Sequence, residues 1–522
     1  MLETERNISV KNMRILELNA HALGVKRDFL MENAGRGLAD FIVGKIKNNR
    51  GEKKVFSIMV FAGLGNNGGD GIVAARYLTW CNDCEITVVL LGKPSSIRTK
   101  EASRNFQILK EMENSVRILK ITDSSQVQGL KGLLGSADFI IDSLLGTGVR
   151  GALREPYFSA VKAILDHVSN AFIVSVDVPT GVDPDTGEVS DIAVKADVTV
   201  TFHAVKKGLL KAKEYVGEIK VVSIGIPPEA ELFVGPGDVL LNVVERKPIA
   251  HKGDFGRVLI IGGSKMFSGA PALSAMAALK TGSDLAIIMT PESVSSAIRS
   301  FSPNIIVQPL EGEIITSGVL MPSLLKMVEK AKSVVIGPGL GSFEESMKAA
   351  KEAIELCQEK NIPLVIDADA IKAVADFQIK FKKDSVVVTP HAGELKTLVG
   401  EKSIPSNLNE RMLFIKEKAA QIKATILFKA PYDIISDGGR VKINRTGNPG
   451  MTVGGTGDVL TGIVGAFLSQ GKDAFSSACV SAYICGLSGD LAVGEKGFHI
   501  VATDVIEKVP QAFKKAEELA ET

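Results

Sequence analysis

The sequence predicts an α/β protein built as two αβα sandwich domains, and three observations predict it. The chain has 522 residues, more than one hydrophobic core of ordinary size organises. Short apolar runs of strand length alternate with longer amphipathic runs in both halves. That alternation implies parallel, doubly wound sheets covered on both faces by helices. Gly-rich turns carrying acids or amides recur just after the strand-like runs, which is where such sheets bind ligands.

Composition narrows the class. Hydrophobic residues make up 45% and charged residues 23% of the chain, the balance of a globular protein. A net charge of +1 gives no electrostatic case for a nucleic-acid partner or a membrane surface. The 51 glycines and only 5% aromatics suit many tight strand-to-helix turns. Five scattered cysteines, an odd number, argue against a disulfide framework and for a reducing compartment. Cys81-Asn-Asp-Cys84 has metal-like spacing but no second pair completes a zinc site, so it is given no role. The first six residues are charged and lack a signal-like apolar core, and no apolar run approaches the ~20 residues of a membrane span. A cytoplasmic protein with no membrane partner is expected.

In order, the first half opens with amphipathic helices over 10–22 and 27–46. A strand over 55–62 leads to a helix over 71–80, then a strand over 86–91 and a helix over 99–113. Further short strands fall at 138–142, 172–177 and 197–202. Three turns after strands carry chemistry. Gly63-Leu-Gly65-Asn66-Asn67-Gly68-Gly69-Asp70-Gly71 reads as a phosphate cradle, although it is neither a dinucleotide fingerprint nor a Walker loop. Asp142-Ser-Leu-Leu-Gly146-Thr147-Gly148-Val149-Arg150-Gly151 places an acid at a strand end. Asp177-Val-Pro179-Thr180-Gly181-Val-Asp183 places another; the capping of a proline turn is the plainer use of that aspartate.

Together with Leu30-Met-Glu-Asn-Ala-Gly35, these three turns resemble the NAD(P)H-hydrate epimerase domain, with a Rossmann-like fold, over roughly residues 1–230. The resemblance implies a substrate that is a nicotinamide cofactor carrying added water at C6 of its ring, NADHX or NADPHX, whose two C6 epimers are interconverted. By it, Asn66, Asn67, Gly68, Gly69 and Asp70 hold the substrate with Gly146, Thr147, Gly148, Val149, Arg150, Gly151 and Ala152. Asp177 is the acid/base group at the reacting ring. Asn67, Asp142 and Thr180 bind a potassium ion; the family usually has Ser where this chain has Thr180, and the hydroxyl is kept.

The first domain is set at 1–235, a connection follows, and a second α/β pattern is set at 248–522. Its strands are expected at 257–261, 284–289, 333–336, 363–366, 385–388 and 424–428. Their turns are Gly262-Gly-Ser264, Gly337-Pro-Gly339-Leu-Gly341, Asp367-Ala-Asp-Ala370, Thr389-Pro-His391-Ala-Gly-Glu394 and Lys429-Ala430-Pro431-Tyr432-Asp433. Gly269-Ala270-Pro271 opens an Ala-rich helix. The stretch Gly447-Asn448-Pro-Gly450-Met-Thr452-Val453-Gly454-Gly455-Thr456-Gly457-Asp458 feeds an apolar helix, so unpaired N–H groups and the helix dipole favour an anion there. Asp458 would repel that anion, which points to chemistry, although ordinary helix starts favour an acid too. His391 is one of six histidines, and a turn histidine with a satisfied hydrogen bond stands beside its functional reading.

A small-residue loop ending in Asp at a helix N-terminus resembles the ribokinase-like superfamily, and the full set of turns resembles ADP/ATP-dependent NAD(P)H-hydrate dehydratase. By that resemblance Ala270, Gly339, His391 and Asp458 contact the hydrated cofactor. Lys429, Ala430, Pro431, Tyr432 and Asp433 hold the adenine nucleotide with Asn448, Gly450, Thr452, Gly454, Gly455, Thr456 and Gly457. Val453 stands where the family has a hydroxyl residue. The resemblance further implies Mg²⁺ and, as in the fused bacterial and archaeal enzymes, ADP as co-substrate; a homo-oligomer is also expected. Two rivals remain at this point: a small-molecule kinase of the same superfamily, and a first domain that is a non-catalytic nucleotide sensor or protein-binding module.

Overall fold

The computed structural model describes residues 7–48, 55–148, 151–168, 170–381 and 385–521. They form two compact units, Met1–Pro227 and Pro228–Thr522.

The first unit is built on a seven-stranded, wholly parallel sheet. Its spatial order is Val116–Ile121, Cys84–Leu91, Phe56–Ala62, Phe139–Ser143, Phe172–Val176, Val198–Phe202 and Glu218–Val222. The strand order reverses between Phe56–Ala62 and Phe139–Ser143, so the loops leaving these two strands diverge and open a crevice. Both faces are covered, which explains the continuous apolar runs: Met59, Phe61, Val89 and Ile140 join one core cluster with Val161 and Ile164 of the helix Tyr157–His167.

The helix expected at 71–80 begins earlier, and Asn66–Leu78 is one helix with Gly65 as its N-cap. Glycines at 68, 69 and 71 argue against helix on propensity. Packing overrides them. A Cβ at Gly68 would sit 2.0 Å from the Gly63 carbonyl oxygen, so this turn of helix lies against the strand end with no room for a side chain.

The second unit carries a nine-stranded sheet. Its order is Ile306–Leu310, Leu285–Pro291, Arg257–Ile261, Ser333–Ile336, Leu364–Ile366, Val386–Val388, Thr425–Phe428, Asp433–Ser436 and Val441–Asn444. The first seven are parallel to one another, and the last two pairings are antiparallel, so Asp433–Ser436 alone runs the opposite way. Along Arg257–Ile261, Val258 and Ile260 enter one core and Leu259 and Ile261 the other. The helix Thr456–Ser469 lies in the first of these cores, buried from Val459 onwards. A Cβ at Gly462 would come within 2.1 Å of the Ser274 carbonyl oxygen, so this helix and Gly269–Lys280 press together backbone to backbone.

Among the described residues one helix, Ala474–Lys496, has the length and apolar content to cross a membrane, but 72% of its most apolar stretch is buried inside the protein. Its apolar side chains, with Val505, Ile506, Val509 and Ala512 of the helix Ala502–Glu521, are spent on the core of the unit. All five cysteines are free.

Candidate active sites

In the first unit four neighbouring strands deliver their following loops to one end of the sheet, around a cavity of 430 Å³. Asp177 follows Phe172–Val176 with φ at +64°, a conformation that costs a non-glycine residue energy and is kept where surroundings enforce it. Its backbone N–H donates to the Val200 carbonyl at 2.7 Å. Its carboxylate is paired with Lys206, whose side chain is 1% exposed. Thr201 Oγ1 (3.1 Å) and the Phe202 N–H (3.3 Å) donate to the same oxygen, Oδ1. No hydrogen bond from a described residue reaches Oδ2, and Asp177 lines the cavity.

Lys206 also donates to Thr201 Oγ1 at 3.2 Å and the Phe202 carbonyl at 2.8 Å. The sequence reading missed Lys206 and Glu17. The signal for the lysine was its place four residues past a strand's end, a turn that was not read. The cavity wall adds Glu17, Arg14, Arg27, Asp70, Arg98 and Tyr157. Burial pushes the Glu17 carboxyl up to about 7, Asp177 adding to the push against Lys206. Burial likewise pushes Asp70 well above the carboxylate range, reinforced by the charges of Asp177 and Glu17.

Of the expected substrate residues, Asn66, Asn67, Asp70, Gly146, Thr147, Gly148 and Asp177 line this cavity. Gly68 and Gly69 are buried in the helix and do not line it. Gly151 lines an adjoining cavity of 250 Å³ with Asp183 and Glu188, which shares Leu145 and Gly146 with the first, and Ala152 is exposed. Val149 and Arg150 lie outside the described residues.

Beside the cavity, Asp142 is fully buried. It accepts from Thr180 Oγ1 (2.6 Å), Thr180 N (2.8 Å) and Ser175 Oγ (2.9 Å). Burial raises its pKa and these hydrogen bonds oppose the rise. The Asn67 amide nitrogen is buried and bonded to nothing among the described residues. A buried polar atom without a partner is left for something else to satisfy, and the two ends of an amide are interchangeable in position.

In the second unit the centre is Asp367, at the end of Leu364–Ile366 and 2% exposed. Lys429 Nζ donates to its Oδ1 at 2.9 Å, Thr389 Oγ1 to Oδ1 at 2.7 Å and Thr461 Oγ1 to Oδ2 at 2.7 Å. Burial pushes Asp367 up, but the Lys429 charge and these hydrogen bonds win and hold it below its usual value. Lys429, expected to help hold the nucleotide, is thus paired with a carboxylate in the structure; Glu394 lies 3.8 Å from its Nζ.

Asp458 sits in the first turn of Thr456–Ser469, next to a Gly457 whose added Cβ would lie 3.5 Å from Lys429 Nζ. Burial, and then the charge of Asp367, push its carboxyl up to about 7 against the pull of Lys429. Ser274 Oγ donates to the Asp458 carbonyl at 2.9 Å, so the close helix pair also fixes this turn. Gly455 caps the helix at φ +95°. Upstream, Asp490, which the sequence reading missed, anchors the loop by accepting from the Gly447 N–H (3.0 Å) and Asn448 Nδ2 (2.8 Å). Thr452 turns its hydroxyl to the Pro449 carbonyl and Thr456 to that of Met451, both at 2.9 Å. Gly450 is buried, whereas Gly454 is exposed with nothing within 4 Å of an added Cβ.

His391 caps the helix Ala392–Val399, its Nδ1 accepting from the Gly393 N–H at 3.0 Å, with Nε2 3.4 Å from Glu394. It lines a shallow cavity of 350 Å³ with Asp369, Lys372 and Glu394. Its capping bond is the plain role; Glu394 links it to Lys429. A Cβ on Gly339 would lie 3.3 Å from the Ala270 Cβ, so those two expected contacts are neighbours. Ala430, Pro431 and Tyr432 form the turn into Asp433–Ser436, closed by the Ala430 N–H on Asp433 Oδ1 at 3.1 Å.

Fold and sites define the class: an α/β chain of two units, a Rossmann-like one followed by a second parallel-sheet one, each with a lysine-paired buried carboxylate just past the end of a parallel strand. The family model for NAD(P)H-hydrate dehydratase matches residues 258–511, and that for the YjeF-related protein N-terminus matches residues 27–208. The chain is 45% identical to the bifunctional NAD(P)H-hydrate repair enzyme of Pyrobaculum aerophilum, over 98% of each chain. It is 42% identical to that of Methanothermobacter thermautotrophicus, over 96% of this chain and 94% of the relative. The ADP/ATP-dependent NAD(P)H-hydrate dehydratase of Bacillus subtilis, solved after co-crystallisation with ATP and Mg²⁺, is 26% identical; the match covers 55% of this chain and 98% of that one, with a TM-score of 0.47. The chain belongs to the bifunctional NAD(P)H-hydrate repair enzymes and carries both the epimerase and the dehydratase domain.

Proposed function

We propose that the first unit interconverts the C6 epimers of hydrated NADH and NADPH at Asp177, and that the second dehydrates the S epimer at Asp458 at the expense of ADP. The observation that carries this reading is the placing of one reactive carboxyl in each unit at the ligand-binding end of its sheet. Asp177 is pinned through one oxygen with the other left to the cavity. Asp458 heads a buried helix with its pKa near 7.

In the epimerase, C6 carries both a hydroxyl and the ring nitrogen. Protonation of that hydroxyl lets the C6–O bond break as water departs, while the nitrogen lone pair forms an iminium. Water returning on the other face gives up a proton as the new C6–O bond forms, and Asp177 Oδ2 is placed to take it. Asn67, Asp142 and Thr180 offer amide, carboxylate and hydroxyl oxygens, the hard donors an alkali cation takes, provided the Asn67 amide turns its oxygen, not its unpartnered nitrogen, to the guest. A potassium ion there would supply positive charge beside the Gly146–Gly148 turn and fix the loops that carry it.

In the dehydratase, hydroxide is a poor leaving group. Asp458 takes the C6 hydroxyl proton as that oxygen attacks the terminal phosphorus of ADP, and the bond from phosphorus to AMP breaks. The ring nitrogen then expels phosphate, and loss of a proton from the neighbouring ring carbon restores the reduced nicotinamide. The turn Lys429–Asp433 and the stretch Asn448–Gly457 hold the nucleotide; Ala270, Gly339 and His391 hold the hydrated cofactor. Mg²⁺, which binds through phosphates and one or two carboxylates, would neutralise charge on the transferring group. Five free thiols fit a cytoplasmic setting, and the homo-oligomer is carried as part of the proposal, to be checked by light scattering.

The test supplies each separated epimer with Mg²⁺ and either ADP or ATP and follows the return of reduced-nicotinamide absorbance. Repair of both epimers, with Asp177→Asn blocking only the R epimer and Asp458→Asn blocking both, is the expected result. Repair of the R epimer by Asp177→Asn at the wild-type rate would sink the Asp177 assignment.

A further inference from the structure

Every hydrogen bond that Asp177 receives lands on Oδ1, and one of them comes from a buried ammonium. Such a carboxylate is set up to accept a proton. The departing hydroxyl, however, needs a donor, and if the oxygen leaves one ring face and returns to the other, each face needs its own proton-transfer group. Two other donors on the wall are already committed. Lys206 spends its N–H groups on Asp177, Thr201 and the Phe202 carbonyl, and Tyr157 Oη turns to the Leu91 carbonyl at 3.4 Å.

Glu17 reaches the same cavity from a different element. It lies on the helix Val10–Ala22, which sends Met13, Arg14, Glu17 and Leu18, one face of the helix, into the cavity wall. The charged groups acting on it are Arg14 on its own helix, Arg27 on the next, and Asp177 and Lys206 at the sheet's end. Asp70, on Asn66–Leu78, is coupled to it as well.

We propose that Glu17 is a second proton-transfer residue of the epimerase, serving the ring face opposite the one Asp177 serves. The inference rests on the reading of Asp177 given above. With one epimer, the Glu17 acid protonates the C6 hydroxyl, and the C6–O bond breaks to release water and leave the iminium. Water then adds from the other face, and Asp177 Oδ2 takes its proton. The other epimer runs the same steps backwards, so a proton passes between the two carboxyls and nothing is oxidised or reduced. A shuttle has to change state in both directions. Glu17, near 7, does so at neutral pH.

The experiment measures epimerisation of each isolated epimer by chromatography, for wild type, Glu17→Gln, Glu17→Asp, Asp70→Asn and Asp177→Asn, with dehydration of the S epimer as the control on each preparation. Glu17→Gln should lose about 100-fold or more in kcat with KM within a few-fold, the usual scale for one acid/base group. Glu17→Asp should recover at least a tenth of the wild-type rate and move the limb of the pH profile near 7. Glu17→Gln above a third of the wild-type rate beside an inactive Asp177→Asn would overturn the Glu17 role alone. So would a loss on Glu17→Gln that Glu17→Asp does not relieve, or a loss confined to Asp70→Asn. An active Asp177→Asn would remove the underlying reading as well.

Discussion

Asp458→Asn should abolish dehydration and stabilise the second unit, and the two effects share one cause. Burial and the charge of Asp367 raise the Asp458 carboxyl to about 7, because no cation is given over to it. Lys429 is bonded to Asp367 instead. A carboxyl whose folded pKa is raised contributes its stability below the unfolded value, and that contribution is lost as pH climbs to the folded value. A rise from 3.8 to about 7 has a ceiling of about 4 kcal/mol, and solvent at the partly exposed carboxyl trims it to about 2 kcal/mol. Asn removes the ionisation. The variant should therefore melt about 4 °C higher at pH 8, about half as much higher at pH 5.5, and no higher near pH 4. Calorimetry of the second unit's transition reads this. In the repair assay the same variant should lose about 10² to 10⁴ in kcat/KM, or about 3–5 kcal/mol of transition-state stabilisation. The wild-type kcat/KM should fall tenfold per pH unit below about 7. Dehydration within tenfold of wild type, or an unchanged melting temperature at pH 8, refutes the reasoning.

Thr180→Val keeps the volume but removes the hydroxyl bonded to Asp142; epimerisation should fall at least tenfold and lose its response when potassium replaces sodium, measured in matched salts. Lys429→Met leaves Asp367 buried without its cation, which should cost about 3 kcal/mol in denaturant melts as well as most dehydration. Epimerisation in ¹⁸O-water should put solvent oxygen on C6 at the turnover rate; retention of the original oxygen, read by mass spectrometry, would replace the iminium route by ring opening. Gly462→Ala forces a methyl onto the Ser274 carbonyl, and the pushed-apart helices should cost about 1–3 kcal/mol and displace Asp458, lowering dehydration but not epimerisation.

The central strands were legible because a sheet buried on both faces writes unbroken apolar runs: Phe56–Ala62 and Arg257–Ile261 are read nearly to the residue. The four edge strands, Val116–Ile121, Glu218–Val222, Ile306–Leu310 and Val441–Asn444, were not delimited. Half of such a strand faces solvent, so Arg117, Lys120, Glu218 and Lys220 break the pattern. The helix start at Asn66 was missed because its glycines answer to packing against Gly63, which no local propensity reports. Acids in Gly-rich turns announced themselves in the sequence. Lys206, Glu17 and Asp490 did not, since each matters through a partner far away in the chain.

The two clefts handle a buried carboxyl in opposite ways, and the difference matches the chemistry proposed for each. In the first unit a buried lysine is paired with Asp177, the acid proposed to accept the proton, and the proton for the leaving oxygen is proposed to come from Glu17. In the second unit the lysine is paired with another acid, Asp367, and Asp458 is left to titrate near neutrality. A base that reaches a hydroxyl next to incoming phosphates gains from that arrangement. Were Asp458 paired with Lys429, its basicity would drop by the amount the pair is stabilised. Exchanging the two arrangements, with a lysine built beside Asp458, should therefore shift the acid limb of dehydration downward while lowering its maximum rate.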